Sequence, residues 1–126
     1  TQLCARGCLD VYQPDVTVCG GITGVKKIAT MVKAFGAAFS PHTWSNGIGL
    51  IANLHLCCGI GDVSFLELPF DPPAWTPERR DFVQTKESYT MIDKNGYLRI
   101  KDKPGLGFEL DEEVLSRYEI KHDYVW

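Results

Sequence analysis

Two short runs, LDVYQPD at residues 9–15 and AAFSPH at residues 37–42, decide the predicted fold. Each is largely apolar and ends in proline followed by one polar residue, Asp15 in the first and His42 in the second. A helical pattern lies between them, which predicts a strand, a helix and a second strand that runs parallel to the first. Parallel strands place their carboxyl ends at one edge of the sheet, and in α/β folds this edge holds the chemistry. We therefore expect Asp15 to lie beside His42 and to orient its imidazole as a general base.

The spacing of apolar residues predicts two helices. Between Gly24 and Phe35 they recur every three or four positions, which indicates one buried helix face, and Gly36 is typical of a helix end. The positions on that face are Val25, Ile28, Ala29, Val32 and Phe35. Residues from Asn46 to about Cys57 are apolar on nearly every side, so this second helix should be deeply buried or lie in an interface.

A third strand and several short elements are predicted further along the chain. Residues 63–68 are apolar almost throughout, as expected of a parallel strand that is covered on both faces. After Pro69 we expect a short helix beginning at Thr76, a hairpin with an Asn-Gly turn at residues 93–96, and an Asp-capped helix beginning at Asp111. A calcium loop at the same turn is disfavoured because its later ligand positions lack acids.

Composition limits the class of protein. The 126 residues suffice for one domain, and the net charge of −3 offers no basic surface for nucleic acid. No apolar run is long enough to cross a membrane, and we expect a cytoplasmic protein whose five cysteines are reduced and mostly buried. His55 and His122 are expected to be structural or exposed. Because the chain begins at Thr1 without a capping element, we expect it to be the C-terminal part of a longer chain.

Four motifs resemble one known family. The stretch QPDVTVCGGIT at residues 13–23 resembles the sixth-strand motif of the enolase superfamily, in its mandelate racemase-like branch. PHTW at residues 41–44 and FLELPF at residues 65–70 resemble the seventh-strand and eighth-strand motifs. PGLG at residues 104–107, followed by the acids at 111–113, resembles the return to the capping domain. The motifs occur in the family's order and span nearly the whole chain.

This resemblance implies an α/β fold in two parts. Residues 1–84 would form the last three strands of a modified TIM barrel with their helices, and residues 85–126 a C-terminal segment of the α+β capping domain. The family removes a proton α to a carboxylate with Mg²⁺ as cofactor. Its metal ligands lie on strands three to five and its other base on strand two, and none of these strands is in this chain. We therefore expect no metal ligands here and no activity from the isolated fragment.

The resemblance also assigns roles to individual side chains. His42 corresponds to the general base or acid, Asp15 to its partner, and Glu67 to an eighth-strand acid that hydrogen-bonds the substrate carboxylate. Trp44 is a candidate substrate contact. Each residue has a structural alternative. His42 could be satisfied by a turn, and Asp15 could be a turn or cap residue. Glu67 could form a structural ion pair, and Trp44 could only pack under the loop.

Three functions remain open at this point. The first is a hydro-lyase of carbohydrate catabolism, an acid-sugar dehydratase that removes the α-proton and expels a β-hydroxyl as water, with protonated His42 as general acid. The second is a racemase, epimerase or cycloisomerase that uses the same intermediate. The third is a truncated, inactive chain with only an assembly role. The expected partners are a small acid-sugar substrate and, for assembly, either the missing barrel portion or further copies of the intact protein.

Overall fold

The two predicted strands form a parallel pair joined by a helix. The computed structural model describes residues 1–63, 65–76 and 92–120. Val11 lies beside Ala38 and Tyr12 beside Phe39 in a two-stranded parallel sheet, so the predicted strand–helix–strand unit is confirmed. In chain order the elements are α1 (Gln2–Ala5), β1 (Val11–Tyr12), α2 (Gly21–Ala34), β2 (Ala38–Phe39), α3 (Gly47–Ile60) and α4 (Glu112–Ser116).

One face of the sheet packs on α2 and the other is open. Tyr12 and Phe39 are buried in a core that α2 completes, whereas Val11 on the opposite face is 47% exposed. Three of the five predicted face positions of α2 are fully buried: Val25, Ala29 and Val32. Phe35 is exposed because the helix ends before it, and the residue serves as the C-cap. The apolar pattern therefore identified the buried face of α2 but placed the end of the helix one residue too far along the chain.

Helix α3 is buried along most of its length, as its composition predicts. The side chain of Asn46 caps it by accepting a hydrogen bond from the backbone N–H of Gly49 at 3.0 Å. The helix ends at Ile60, three residues beyond the predicted end at Cys57. Its buried apolar side chains are Leu50, Ile51, Leu54 and Leu56.

Two glycines of α3 should respond in opposite ways to alanine. A Cβ on Gly49 would lie 2.8 Å from Thr17 Cγ2 and still closer to the side chain of Ser45, so Gly49→Ala should destabilise the fold by about 1–3 kcal/mol. The matched control is Gly59→Ala in the last turn, where no atom lies within 4 Å of the new Cβ. Higher helix propensity should make this variant neutral or up to about 1 kcal/mol more stable. Urea unfolding of both variants checks the prediction, and an equal response would contradict it.

The prediction of a third strand is wrong for the described residues 63 and 65–68, which form no ladder with β2. Side chains hold this segment instead. Ser40 Oγ donates to the carbonyl of Phe65 at 3.0 Å, and the Thr43 hydroxyl donates to the carbonyl of Glu67. Because these bonds attach the segment to the loop after β2, the segment lies at the carboxyl edge of the sheet, as predicted, although it forms no strand.

The C-terminal predictions are met in part. Asp93 and Gly96 close the predicted turn, in which the backbone N–H of Gly96 donates to the carbonyl of Asp93 at 2.9 Å. The Asp93 carboxylate accepts from two turn N–H groups and from Arg99, so it is bound within the turn. No strand forms at residues 97–100, and the other arm of the predicted hairpin, residues 89–91, lies outside the described residues. The short helix predicted after Thr76 also lies outside them, whereas α4 forms as predicted with Asp111 as its N-cap.

The cysteines are less buried than their residue type suggests. All five are free thiols, but only Cys4 is buried, and Cys8 and Cys58 are exposed. The expectation of mostly buried thiols is therefore wrong, because Cys8 lies in the turn after α1 and Cys58 on the outer side of α3. In the described part of the chain, no helix has both the length and the apolar character that crossing a membrane requires.

Candidate active site

The sheet register brings Asp15 and His42 together. Tyr12 and Phe39 are paired, and each is followed three residues later by one of the two side chains. His42 Nδ1 lies 3.3 Å from Asp15 Oδ2, slightly longer than the 2.6–3.2 Å expected of a short hydrogen bond. Asp15 is only 3% exposed, whereas the side chain of His42 is 47% exposed. The pair thus has a buried acid and an imidazole that is open to a ligand.

The Asp15 carboxylate is held in place by neutral donors. Oδ1 accepts hydrogen bonds from the backbone N–H of Thr17 at 2.9 Å and from Asn53 Nδ2 at 3.0 Å. Burial by itself raises the pKa of Asp15, but these bonds and the contact with His42 outweigh burial and hold the pKa below its ordinary value. Asp15 is therefore ionised at neutral pH and presents a fixed negative charge to His42.

This lowered pKa predicts a contribution to acid stability. The ionised form is favoured in the folded state, so the stabilisation is fully present above the ordinary carboxyl pKa of 3.8 and is lost as the pH falls through the lower folded pKa. Asp15→Asn should therefore weaken the dependence of unfolding on pH below about 3.8. Acid-unfolding curves followed by circular dichroism check this, with Asp10→Asn at an exposed position as the matched control. An unchanged acid dependence in Asp15→Asn would contradict the prediction.

Glu67 approaches the same edge from the segment after α3. Its Oε2 accepts from the backbone N–H of Thr43 at 2.9 Å, and its Oε1 accepts from Trp44 Nε1 at 3.0 Å. Among the described residues Glu67 forms no ion pair, so the structural ion pair considered from the sequence is not found there. Both contacts come from the residues directly after His42, and they fix the carboxylate relative to that side chain.

The indole of Trp44 belongs to an aromatic pair. It meets Trp75 edge to face, with ring centroids 5.5 Å apart. Asp71 and Trp75 close a tight loop through two backbone hydrogen bonds of 2.9 and 2.8 Å, and this loop presents Trp75 to Trp44. Trp44 is partly exposed while its N–H is bound to Glu67, so the packing role does not remove the residue from the surface.

The described residues do not themselves form a metal site. Among them, no three His, Cys, Asp or Glu side chains cluster closely enough to hold a metal ion. The two acids at this edge, Asp15 and Glu67, already accept hydrogen bonds on their carboxylate oxygens. Magnesium prefers free oxygen ligands in octahedral geometry, so neither residue fits the role of a metal ligand.

The other two histidines and Asn53 are not among the site residues that the sequence predicts. His55 Nε2 lies 3.1 Å from the carbonyl of Leu106, which joins α3 to the C-terminal tail and agrees with a structural role. His122 lies outside the described residues. Asn53 was not predicted as a site residue, although it contacts Asp15. The available signal was a lone side-chain amide within the apolar run from Leu50 to Leu56.

Similar proteins are known for nearly the whole chain. The family described as "Enolase C-terminal domain-like" matches residues 1–114. Arabinonate dehydratase from Saccharolobus solfataricus is 32% identical over 95% of this chain and 30% of its own length. D-galactonate dehydratase from Xanthomonas axonopodis pv. citri is 35% identical over 91% of this chain and 30% of its own length. The chain thus spans about a third of the length of the curated relatives that it matches.

A solved structure extends the likeness to the fold. The 3,6-anhydro-D-galactonate cycloisomerase from Zobellia galactanivorans superposes with a TM-score of 0.77 and is 34% identical, over 95% of this chain and 32% of that one. Sequence and backbone therefore point to the same group of enzymes.

Proposed function

The chain belongs to the enolase superfamily, in its mandelate racemase-like branch, and from this premise we propose that it is the C-terminal part of an enzyme that removes a proton α to a carboxylate. Residues 1–84 would supply the last part of the barrel and residues 85–126 the return to the capping domain. The observation that carries the proposal is the Asp15–His42 pair at the carboxyl edge of a parallel sheet, with 3.3 Å between the two side chains. This edge is where α/β barrels hold their reacting groups.

His42 is the proposed general base. With Nδ1 directed at the Asp15 carboxylate, the neutral ring carries its proton on that nitrogen and leaves Nε2 free to accept one. When Nε2 takes the α-proton, the imidazolium that forms is stabilised by the adjacent carboxylate. Asp15 remains ionised throughout, because its lowered pKa keeps it charged at neutral pH.

Dehydration of an acid sugar follows from the same pair. His42 removes the proton from the carbon next to the carboxylate, and the protonated ring then donates a proton to the β-hydroxyl as the C–O bond breaks. Water leaves, and the enol that remains tautomerises to a 2-keto-3-deoxy acid. This reaction class is supported by two relatives named as dehydratases of galactonate and arabinonate, both 32% or more identical to this chain.

Glu67 and Trp44 are the proposed substrate contacts. Two hydrogen bonds fix Glu67 to Thr43 and Trp44, the residues directly after His42, so its carboxyl group is presented at the same edge as the base. The carboxyl group of Glu67 would hydrogen-bond the substrate carboxylate as charge accumulates there. The exposed part of the Trp44 ring would contact the carbon skeleton of the sugar.

Magnesium is the proposed cofactor of the intact protein, where it would stabilise negative charge on the substrate carboxylate. The described residues do not form its site, and we propose that its ligands lie on barrel strands outside this chain, as the family resemblance implies. His42, Asp15, Glu67 and Trp44 would contribute proton transfer and substrate orientation. We further propose that the substrate is a small acid sugar, that the intact protein assembles into a homo-oligomer, and that it is cytoplasmic.

A cycloisomerase is the second candidate, since the solved relative from Zobellia galactanivorans carries that name. A racemase or epimerase would use the same base, whereas an inactive assembly chain would not need it.

Product analysis separates these functions. The complete protein is incubated with magnesium and, in separate reactions, D-galactonate, D-arabinonate and 3,6-anhydro-D-galactonate. We expect a 2-keto-3-deoxy acid from one of the first two. Ring opening of the anhydro sugar alone would favour the cycloisomerase, and no reaction of any substrate would favour the assembly role.

A further inference from the structure

Asn53 occupies the centre of α3 and is completely buried, with 0% of its surface exposed. Its amide nitrogen donates to Asp15 Oδ1 at 3.0 Å and to the carbonyl of Gly49 at 3.1 Å. Its amide oxygen accepts from the backbone N–H of Val16 at 3.3 Å. Both amide hydrogens and the amide oxygen therefore have a partner within the protein, as burial requires.

The orientation of this amide is determined by its partners. If its oxygen and nitrogen were exchanged, the oxygen would face a carboxylate and a carbonyl, and the nitrogen would face a backbone N–H. Only the observed orientation places donors opposite acceptors on all three sides. Asn53 thus fixes both the carboxylate of Asp15 and the backbone that follows it.

The contact between Thr17 and Asp15 is local. The N–H of Thr17 donates to Asp15 Oδ1 from only two residues away, so this bond joins two residues of the same loop. Asn53 lies 38 residues away on a packed helix and ties the loop to that helix through two separate bonds. The position of Asp15 relative to the sheet edge therefore depends on α3.

We infer that Asn53 is a positioning residue for the reaction: it holds Asp15 Oδ1 so that Oδ2 keeps His42 in the tautomer with its proton on Nδ1. The inference rests on the proposed function of His42 as base. It assigns no contact between Asn53 and the substrate. At metal sites, loss of an outer partner of a carboxylate–histidine pair lowers metal affinity or activity by roughly 10–100-fold, and we expect a loss of about this size here.

Two variants of the complete protein test the inference. Asn53→Leu keeps the approximate volume and removes both donors, and it should lower kcat by about 10–100-fold with little change in KM. Asn53→Asp places a second carboxyl beside Asp15. At low pH this group is protonated and can donate to Asp15 Oδ1, whereas at higher pH the two charges repel each other. The deficit of Asn53→Asp relative to wild type should therefore shrink as the pH falls, while that of Asn53→Leu should not.

Leu56→Ala is the matched control, because it removes a buried side chain from the same helix, and a leucine side chain makes no hydrogen bond to the pair. It should lower stability without a pH-dependent loss of kcat. If the kcat deficit of Asn53→Asp is the same at every pH, as is expected of this control, the positioning role is wrong. If Asn53→Leu folds poorly, the pH dependence of Asn53→Asp relative to wild type still tests the inference, and if Asn53→Asp folds poorly, the tautomer of His42 in Asn53→Leu tests it.

A readout that does not need turnover separates this inference from the proposed function. Nitrogen-15 shifts of the His42 ring report which nitrogen carries the proton. We expect the Nδ1–H tautomer to dominate in wild type and to lose population in Asn53→Leu. An unchanged tautomer in the variant would overturn the inference, whereas a changed tautomer in a protein without α-proton exchange would overturn only the function proposed for His42.

Discussion

His42→Asn in the complete protein is expected to lower the rate of α-proton removal by about 10²–10⁴-fold. Asparagine keeps a polar side chain at the position but cannot accept a proton at neutral pH. Because Asp15 is held mainly by Thr17 and Asn53, its carboxylate should stay in place and the fold should be preserved. Rates of exchange with deuterium oxide, followed by proton NMR of the substrate, measure the loss.

The matched control is the same substitution at His55. This residue contacts the carbonyl of Leu106 in the tail, so His55→Asn should affect stability rather than exchange. We expect its exchange rate to stay within a few-fold of wild type. Wild-type exchange by His42→Asn would mean that another group is the base.

The 126-residue chain by itself is expected to show no turnover. Abstraction of the proton leaves an enolate whose charge must be stabilised by fixed donors or positive charge, a contribution worth about 10²–10³-fold for a single donor. His42 can accept the proton, and Asp15 can stabilise the imidazolium that forms. Asp15 is an ionised acceptor, however, and the described residues form no metal site that could stabilise the enolate. The intermediate would therefore form without its main stabilisation.

The fold supports the same expectation. One face of the short sheet is open, with Val11 47% exposed, and only two strands are paired in the described part of the chain. An open apolar face invites aggregation or pairing with another chain, so the purified chain should be poorly soluble or weakly ordered. Assays of the chain with magnesium and D-galactonate, D-arabinonate or 3,6-anhydro-D-galactonate check this. Turnover above that of its His42→Ala variant would contradict the prediction.

The parallel unit and the dyad could be predicted from the sequence because both depend on local patterns. Asp15 and His42 each follow an X-Pro step at the end of an apolar run, and the helical spacing between them dictates parallel strands. Register then brings the two side chains to one edge without any knowledge of their neighbours. The family motifs added roles to these residues, but their placement followed from the pattern.

The parts that could not be predicted depend on contacts between distant residues. Asn53 reaches Asp15 across 38 positions, and its apolar surroundings suggested only a buried helix. The composition of the apolar run at residues 63–68 predicts a strand, yet a strand also needs a neighbour with which its backbone can pair. In the described part of this run, Phe65 and Glu67 are held by the side chains of Ser40 and Thr43 instead. Hydrogen-bond partners of this kind are set by the fold and leave no periodic signal in the sequence.

The release of an isotope from the substrate tests the proposed reaction most directly. D-galactonate, D-arabinonate and 3,6-anhydro-D-galactonate, each with deuterium on the carbon next to the carboxylate, are incubated with the complete protein and magnesium. We predict that at least one of them loses its label to water with a primary isotope effect, and that His42→Asn abolishes this release while His55→Asn does not. Product that retains the label, or release that persists in His42→Asn, would contradict proton abstraction by His42.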